Sequence, residues 1–255
     1  MTSEIKPPDK TALITGCSSG LGKAMADCFR QHGFRVAGMC RTRPETELDC
    51  WIEGDVTQPA DRERAVKTVR EEFGRLDILV NNAGRGVYAT WDELTEEELR
   101  AVFELDFFAV CFMTRSFLPL LEESRGSVIN ISSAAGRLWV PCMGAYCAAK
   151  AAVAMFSNTL GIEEKRHGLH VLDVAPGQVN TGFSSRSLGK RKPPESPGSA
   201  HTSPEKMAES VFRAWKSRKK RITYPRGLAI ALFFVRCVIP GWYERISLRI
   251  WNLRK

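Results

Sequence analysis

The segment MGAYCAAK, residues 143–150, places a tyrosine and a lysine four positions apart. On a helix, positions i and i+4 lie on one face, so the Tyr146 phenol and the Lys150 ammonium would project side by side. Acid–base work near neutrality requires the ordinary tyrosine pKa, near 10, to fall by about three units. A cation about 4–5 Å away supplies roughly 3–4 kcal/mol toward that shift at an effective dielectric near 20. The pair is either a proton donor with the charge that tunes it, or an ordinary aromatic residue beside a surface lysine.

A second segment with chemical potential is TGCSSGLG, residues 15–22, whose glycines are spaced Gly-x3-Gly-x-Gly. Glycine lets backbone amides approach a phosphate closely, and a helix N-terminus adds free N–H groups and partial positive charge. A plain tight turn would also use these glycines. The position between an apolar run and a helical pattern favours a dinucleotide site.

The run AGMCRTR, residues 37–43, bears on the choice of dinucleotide. Enzymes that prefer NAD carry an acid at the end of the second strand, where it binds the ribose hydroxyls. Here Cys40 stands at that place, followed by Arg41 and Arg43. A guanidinium pairs well with a 2′-phosphate, so the run predicts NADP; the alternative is that both arginines are merely solvated.

The elements that must position these residues alternate between strands and helices. Apolar runs predict strands at 11–16, 34–40, 50–56, 76–84, 126–133 and 169–177. Helices are predicted at 95–106, 107–123 and 143–166, with a break near Pro119. Continuously apolar strands are typical of a parallel sheet covered on both faces. The pattern predicts a Rossmann-like doubly wound α/β domain over residues 1–225, with a C-terminal helical extension over 226–255.

Composition is that of a folded globular protein, with 255 residues of which 44% are hydrophobic and 26% charged. The start, MTSEIKPPDK, lacks the apolar region of a secretory signal. The eight cysteines show no CxxC spacing and no metal-ligand cluster with the four histidines. We therefore expect no metal site and a reducing, cytoplasmic environment.

Positive charge is concentrated at the C-terminal end. The net charge is +8, and residues 213–255 contain twelve lysines or arginines against one acid, Glu244. No recognised nucleic-acid motif or aromatic platform accompanies these charges, which ranks nucleic-acid binding last. Just before them, residues 187–204 are rich in Pro, Ser, Gly and Lys without apolar periodicity, which predicts a mobile substrate loop inside the domain.

The tail, residues 226–255, has two interpretations. Its apolar run, Leu228 to Val235, is far shorter than the roughly 20 residues of a spanning helix. It could be a helical extension packed on the body or on a second subunit. It could also lie on the cytoplasmic face of an anionic membrane, because basic residues flank it at 218–221, 226, 236, 245, 249, 254 and 255.

Read in order, these motifs resemble the short-chain dehydrogenase/reductase family over about residues 10–225. TGCSSGLG matches its cofactor loop, and Asp55-Val56 matches the pair that flanks the adenine. NNAG at 81–84, NISS at 130–133, the Tyr-x3-Lys pair and PGQVNT at 176–181 complete the series.

The resemblance implies roles for particular residues. Ser133 would hydrogen-bond the substrate oxygen, Tyr146 would transfer the proton, and Lys150 would tune Tyr146 and hold the nicotinamide ribose. Together with Tyr146 and Lys150, the implied cofactor contacts are Gly16, Ser18, Ser19, Gly20, Leu21, Gly22, Arg41, Asp55, Val56, Asn82, Ala83, Gly84, Pro176, Gly177, Val179 and Thr181.

One residue departs from the family pattern. The family usually carries an asparagine in the helix after strand four, where it helps to hold a proton-relay water. The segment FELDFFAV puts Asp106 there, and its helical face, shared with Val102 and Phe103, should point inward. A buried carboxylate is costly unless it is paired or protonated. Asp106 could serve in the asparagine's place or slow turnover.

The predicted pocket lining is apolar and aromatic. It comprises residues 86–91, residues 137–143 and the region from Val179 past Phe183. Such a lining suits a lipophilic alcohol or ketone better than a sugar or a phosphorylated metabolite. The predicted function is NADP-dependent interconversion of such compounds; the alternative is a catalytically weakened nucleotide-binding regulator. The resemblance also implies a homodimer or homotetramer.

Overall fold

One parallel sheet of seven strands forms the centre of the molecule. The structure, a computed structural model, describes residues 10–193 and 201–253. The strands are β1 (Thr11–Thr15), β2 (Arg35–Cys40), β3 (Cys50–Glu53), β4 (Ile78–Asn81), β5 (Ser127–Ile131), β6 (His170–Pro176) and β7 (Arg221–Tyr224). Their order is β3-β2-β1-β4-β5-β6-β7, and every pairing is parallel. The direction of winding therefore reverses between β1 and β4, where ligands bind in open α/β sheets.

Helices cover both faces of the sheet. They are α1 (Gly20–Gln31), α2 (Pro59–Phe73), α3 (Glu96–Phe103), α4 (Ala109–Ser124), α5 (Gly144–Glu163), α6 (Pro204–Lys216), α7 (Arg226–Cys237) and α8 (Pro240–Ile250). Adjacent strand residues point to opposite faces. Accordingly, Ile14 packs in the core under α1 and α6, and Leu13 in the core under α2, α4 and α5. The predicted doubly wound fold with a C-terminal helical extension is confirmed.

Strand β7 is the one strand that the sequence did not predict. It pairs only with β6 and so forms an edge of the sheet, where a polar sequence such as RITY is tolerated. Strand β7 runs parallel to β6 and is about 13 Å long. The basic residues at 218–221 therefore lie near the amino ends of the strands, whereas α7 begins near their carboxyl ends. Arg221 itself pairs with Asp173 inside the body, at 3.4 Å. The basic flank predicted at 218–221 therefore does not lie with the extension.

The helical region predicted over residues 95–123 is interrupted at a different place from the one expected. A π-helical turn, Glu104–Phe108, joins α3 to α4, and α4 runs through Pro119 without a break. The predicted break near Pro119 is wrong. Proline removes one backbone hydrogen bond, to the carbonyl four residues earlier. Burial of Phe117, Leu120 and Leu121 on the same helix offsets that loss.

The predicted substrate loop is tied to the body at both described ends. Leu188 forms a parallel bridge with Val87, and Thr202 forms one with Val179. The rest of the segment, residues 194–200, lies outside the described residues, so its predicted mobility stays a prediction.

Among residues 10–193 and 201–253, no single helix is long and apolar enough to cross a membrane. Helices α7 and α8 pass the length and composition test only as a pair, and the pair is bent by 103°.

Candidate active site

The predicted site residues meet at the carboxyl edge of the sheet. The glycine turn joins β1 to α1, NNAG begins in β4, Ser133 follows β5, and Pro176 ends β6. These strands are neighbours in a parallel sheet, so their following loops converge on one crevice.

The glycine turn is built for close backbone approach. Gly16 and Gly20 have φ angles of 66° and 58°, in the left-handed region that favours glycine. A Cβ on Gly22 would lie 2.2 Å from the Gly16 carbonyl oxygen, so no larger residue fits there. The Asn82 Nδ2 donates to the carbonyls of Thr15 and Gly16, at 2.9 and 3.2 Å, and ties the turn to β4. Ala83 packs against the turn, close to Gly16.

The N-terminus of α1 is open. Its N-cap residue, Ser19, makes no side-chain capping hydrogen bond, and the first turn carries no acid. Ser18 and Ser19 are exposed, whereas Leu21 packs against the core. The first N–H groups of a helix need partners, and an anion is a favourable one.

The loop after β6 closes over this turn. A Cβ on Gly20 would lie 2.9 Å from Thr181 Cβ, so the two segments are in contact. Gly177 N donates to the Tyr224 carbonyl at 2.7 Å, and Val179 pairs with Thr202. This holds the loop at the crevice.

The end of β2 presents an exposed cation. Arg41 is 69% exposed, with Nη1 at 3.9 Å from Asp55 Oδ2. The Asp55 carboxylate accepts a hydrogen bond from Thr57 N, and the Val56 side chain is buried in the core. Cys40 turns inward, where its Sγ lies 3.6 Å from that of Cys17. Cys40 therefore offers no acid to a ribose. Two charged residues follow β2: Arg41, and Arg43, whose guanidinium lies 5.5 Å from the Trp51 ring centroid.

Tyr146 and Lys150 lie on one face of α5, both buried. The Lys150 ammonium is 5.8 Å from the Tyr146 ring centroid and donates to the Ile131 carbonyl at 3.0 Å. The Ser133 hydroxyl lowers the pKa of Tyr146, and Ser133 Oγ accepts a hydrogen bond from Ala135 N at 3.1 Å. The structure thus brings the three predicted catalytic residues together.

Asp106 lies at the centre of the π-helical turn and is fully buried. Its Oδ1 is 3.0 Å from Lys150 Nζ, and its carboxylate accepts from Arg85 N at 3.2 and 3.3 Å. A Cβ on Gly84 would lie 2.4 Å from Oδ1, so the glycine of NNAG makes room for the carboxylate. A π turn inside a helix commonly marks a functional position.

The electrostatics correct the expectation from sequence. Burial raises the pKa of Tyr146, the Asp106 carboxylate raises it further, and the hydrogen bond with Ser133 lowers it. Burial likewise raises the pKa of Asp106, against the charge of Lys150. The Lys150 cation is paired with Asp106, and in the protein alone the pKa of Tyr146 is raised overall rather than lowered as the spacing predicted.

The family whose profile matches residues 10–191 is described as short chain dehydrogenase. The chain belongs to this family. It is a dehydrogenase/reductase, and such enzymes act on CH–OH or carbonyl groups.

The curated relatives differ in the share of their length that this short-chain dehydrogenase covers. The uncharacterized oxidoreductase YbbO of Escherichia coli is 30% identical over 92% of this chain and 93% of that protein. A 3-ketodihydrosphingosine reductase of Bacteroides thetaiotaomicron is 38% identical, over 68% of this chain and 65% of that protein. This chain thus spans about two thirds of the reductase's length.

Solved structures show the same fold. A short-chain dehydrogenase from Streptomyces avermitilis is 31% identical, with a TM-score of 0.77 over 95% of this chain and 98% of that one. An alcohol dehydrogenase from Thermococcus sibiricus, complexed with 5-hydroxy-NADP, is 26% identical, with a TM-score of 0.73 over 84% of this chain and 95% of that one.

A buried polar ladder in this short-chain dehydrogenase escaped the sequence analysis. Asn81 Nδ2 donates to Asn130 Oδ1 at 2.8 Å and to Thr114 Oγ1 at 3.0 Å, and Asn130 Nδ2 donates to Ser157 Oγ at 2.9 Å. The ladder links α4, β4, β5 and α5 beneath the catalytic residues. Asn81 and Asn130 each stand near the end of an apolar strand, which was the available signal.

A second missed residue is Asp173, fully buried in β6. Arg137 Nη2 and Ser132 Oγ donate to its carboxylate, at 2.7 and 2.5 Å. Because Ser132 precedes Ser133 and Arg137 ends the following turn, this network holds the segment that carries Ser133. The signal was one acid inside the apolar run HVLDVAP.

The three predicted lining segments do meet beside Tyr146. Phe183 packs against the Tyr146 ring, with centroids 5.7 Å apart, and Val87 and Leu188 join the same apolar cluster. Tyr88 Oη lies 3.1 Å from Ser184 Oγ. The substrate side of the crevice is therefore apolar, with a few hydroxyl groups.

Two groups of possible metal ligands occur among the described residues: Cys28, His32 and Glu209, and Glu122, Glu164 and His167. In the first, the Cys28 thiol donates to the Glu209 carboxylate at 3.6 Å, and the His32 ring stacks on Phe212. Cys28 and Glu209 come from distant parts of the chain, so sequence spacing could not have predicted the group.

Proposed function

We propose that this short-chain dehydrogenase interconverts a lipophilic alcohol and the matching ketone or aldehyde with NADP(H), using Ser133, Tyr146 and Lys150 as catalytic residues. One observation carries the proposal. The buried Tyr146 phenol interacts with the Ser133 hydroxyl, which lowers its pKa, and has the Lys150 ammonium 5.8 Å from its ring. This arrangement supplies a proton at a carbonyl oxygen held by Ser133.

The crevice fits a nicotinamide dinucleotide. The turn from Gly16 to Gly22 and the open N-terminus of α1 would hold the pyrophosphate, because a phosphate can reach backbone N–H groups that no side chain caps. Asp55 and Val56 would flank the adenine, NNAG would line the middle of the cofactor, and the loop from Pro176 to Thr181 would cover the nicotinamide end. When bound, the cofactor supplies or accepts the hydride.

The preference for NADP(H) rests on Arg41. Its guanidinium is exposed beside Asp55, and position 40 offers no acid. A 2′-phosphate would pair with it through charge-assisted hydrogen bonds. The alcohol dehydrogenase from Thermococcus sibiricus, whose structure contains 5-hydroxy-NADP, supports the assignment.

Asp106 takes the place of the usual asparagine by pairing with Lys150. The pair leaves Tyr146 protonated, since burial and the Asp106 charge both raise the phenol's pKa. A protonated tyrosine can donate at once to a carbonyl oxygen, whereas alcohol oxidation needs the phenol to ionise first. We therefore expect reduction to be the easier direction. The same ion pair favours the alternative, a weakened nucleotide-binding regulator, if it holds Lys150 too firmly for turnover.

The substrate is proposed to be lipophilic because Tyr146 is surrounded by Phe183, Val87 and Leu188. The Bacteroides relative named 3-ketodihydrosphingosine reductase supports a long-chain ketone. A homodimer or homotetramer is supported by exposed apolar side chains on two adjacent helices, Phe108 and Phe112 near the start of α4 and Met155 and Ile162 on α5.

We also propose a cytoplasmic location with peripheral contact between the C-terminal extension and a membrane. Arg236, Arg245 and Arg249 are exposed on the extension, with Glu244 the one acid in residues 226–253. Cations near an anionic leaflet each contribute about 1 kcal/mol to reversible binding.

The test is consumption of NADPH, followed by its absorbance, with long-chain ketones, steroid and retinoid carbonyls as one set and sugars or phosphorylated carbonyls as the other. Turnover confined to the lipophilic set is the expected result. Turnover only with the polar set would contradict the assigned substrate class. Tight NADPH binding without turnover on any carbonyl would favour the regulator.

A further inference from the structure

The C-terminal extension carries an apolar surface that the body does not cover. On α7 the exposed side chains follow helical spacing, with Ile230 73% and Phe233 67% exposed and Phe234 beside them. The opposite face, which includes Leu228 and Leu232, packs inward. Trp242 and Ile250 are exposed on α8. We call these five exposed residues the docking face.

Exposed arginines accompany the docking face. Arg245 and Arg249 lie three and seven positions after Trp242, which places all three on one side of α8. Arg236 is exposed near the end of α7. Apolar side chains with tryptophan and arginine beside them are typical of a helix that lies in a membrane interface.

Helix α8 also borders the substrate side of the crevice. Tyr243 Oη donates to the Trp139 carbonyl at 3.0 Å, in one of the predicted lining segments. Trp251, directly after α8, stacks on Tyr88 with centroids 6.1 Å apart, and Tyr88 contacts Ser184. Ser184 adjoins the Phe183 that packs on Tyr146. The docking face therefore lies next to the opening of the crevice on its substrate side, which we call the entrance.

We propose that the docking face lies on an anionic membrane surface and turns the substrate entrance toward the lipid, from which the substrate enters. The inference about substrate entry rests on the proposed enzyme activity, and the docking face specifies the membrane contact proposed above, which does not depend on that activity. Charge complementarity selects this occupant over a second copy of the chain, because a second copy would bring the same arginines against these. The bend of 103° between α7 and α8 suits helices that lie on a surface.

The first experiment is sedimentation of the full-length protein with vesicles of phosphatidylcholine, with and without phosphatidylserine. We expect binding to the anionic vesicles at low salt and its loss at high salt. Arg245→Gln with Arg249→Gln should weaken binding by roughly 30-fold, at about 1 kcal/mol per charge. The matched control is Lys219→Gln with Lys220→Gln, which removes the same charge near the amino ends of the strands and should change binding little.

The apolar contribution has its own matched pair. Phe233→Ser with Phe234→Ser should abolish sedimentation, whereas Met155→Ser with Ile162→Ser, which are at least as exposed on α5, should not. No binding to anionic vesicles at low salt would overturn the proposal, as would equal losses in the test and control pairs. Loss of a dimer in light scattering for the Phe233/Phe234 variant, without vesicle binding by the wild type, would identify a contact between copies instead.

The orientation is tested by quenching of tryptophan fluorescence with brominated acyl chains. Trp242→Phe and Trp139→Phe should each reduce the quenched fraction, because one residue lies on the docking face and the other at the entrance. Trp51→Phe, in β3, is the control and should not reduce it. If the protein binds the vesicles but Trp139→Phe leaves the quenched fraction unchanged, entry of the substrate from the lipid is refuted. None of these measurements needs turnover, so failure of the proposed enzyme function is scored separately by NADPH consumption.

Discussion

The catalytic edge and the C-terminal extension use the same residue types in opposite ways. At the catalytic edge, Lys150 and Asp106 are buried and paired at 3.0 Å, and a Cβ added to Gly22 would collide with the backbone. In the extension, Arg245 is exposed, and a Cβ added to Gly227 would meet nothing within 4 Å. Close packing at the first region fixes the position of each reacting group. Open surface at the second leaves its charges and apolar side chains free for another partner.

The largest expected effect is at the catalytic edge. Tyr146→Phe keeps the ring and removes the proton, so turnover should fall by a factor of about 10² or more while NADPH binding survives. Steady-state rates and fluorescence titration with NADPH measure the two effects. Near-normal turnover would show that Tyr146 is not the acid, and Tyr224→Phe in β7 serves as the control for loss of a phenol.

The next effect concerns cofactor choice. Losing a charge-assisted pair to the 2′-phosphate costs about 1.5–3 kcal/mol, so Arg41→Ala should weaken NADPH binding roughly 10- to 150-fold. Affinity for NADH should stay as in the wild type, as titration of both cofactors will show. Equal affinity of the wild type for NADPH and NADH would refute the preference.

A smaller effect is expected from the turn itself. Gly22→Ala places a Cβ 2.2 Å from the Gly16 carbonyl oxygen, and overpacking of this kind costs about 1–3 kcal/mol. Urea unfolding should show the loss of stability, and NADPH affinity should fall with it because the turn must shift. Unchanged values for both would mean that the turn relaxes freely.

The substitution Asp106→Asn should change the pH dependence of alcohol oxidation more than the rate of reduction near neutrality. The Asp106 charge raises the pKa of Tyr146, and alcohol oxidation requires the ionised phenol. Removing the charge should move the rise of oxidation with pH to lower values, while reduction near neutrality, which uses the protonated phenol, should change little. A shift to higher pH would contradict the sign of this interaction, and circular dichroism controls for folding.

The smallest effect is expected in the extension. Gly227 lies within α7, where alanine meets no neighbour. Gly227→Ala should therefore stabilise the protein by roughly 0.4–1 kcal/mol, through the lower entropy of the unfolded chain. Urea unfolding beside Gly22→Ala compares the two regions directly. A loss of stability in Gly227→Ala would mean that α7 is packed more closely than its open surface indicates.

The residues alone predicted the doubly wound sheet, the glycine turn and the shared helical face of Tyr146 and Lys150, whereas the role of Ser133 beside them followed from the family resemblance. The first three depend on local rules: apolar strands buried on both faces, glycine where no Cβ fits, and side chains four positions apart on one helix. How the charges act depends instead on contacts between residues far apart in the chain. Lys150 is shared with Asp106, 44 positions before it, because the turn that carries Asp106 packs against α5.

The same reason accounts for the other differences. Strand β7 is polar and forms because β6 offers it a partner, and it carries the basic residues at 218–221 away from the extension. Glu209 reaches Cys28 from a distant helix, and Trp251 reaches Tyr88 from the end of the chain. Local periodicity states which face of an element is apolar. Which residues pack against that face depends on contacts between residues far apart in the chain, and these contacts form only in the folded structure.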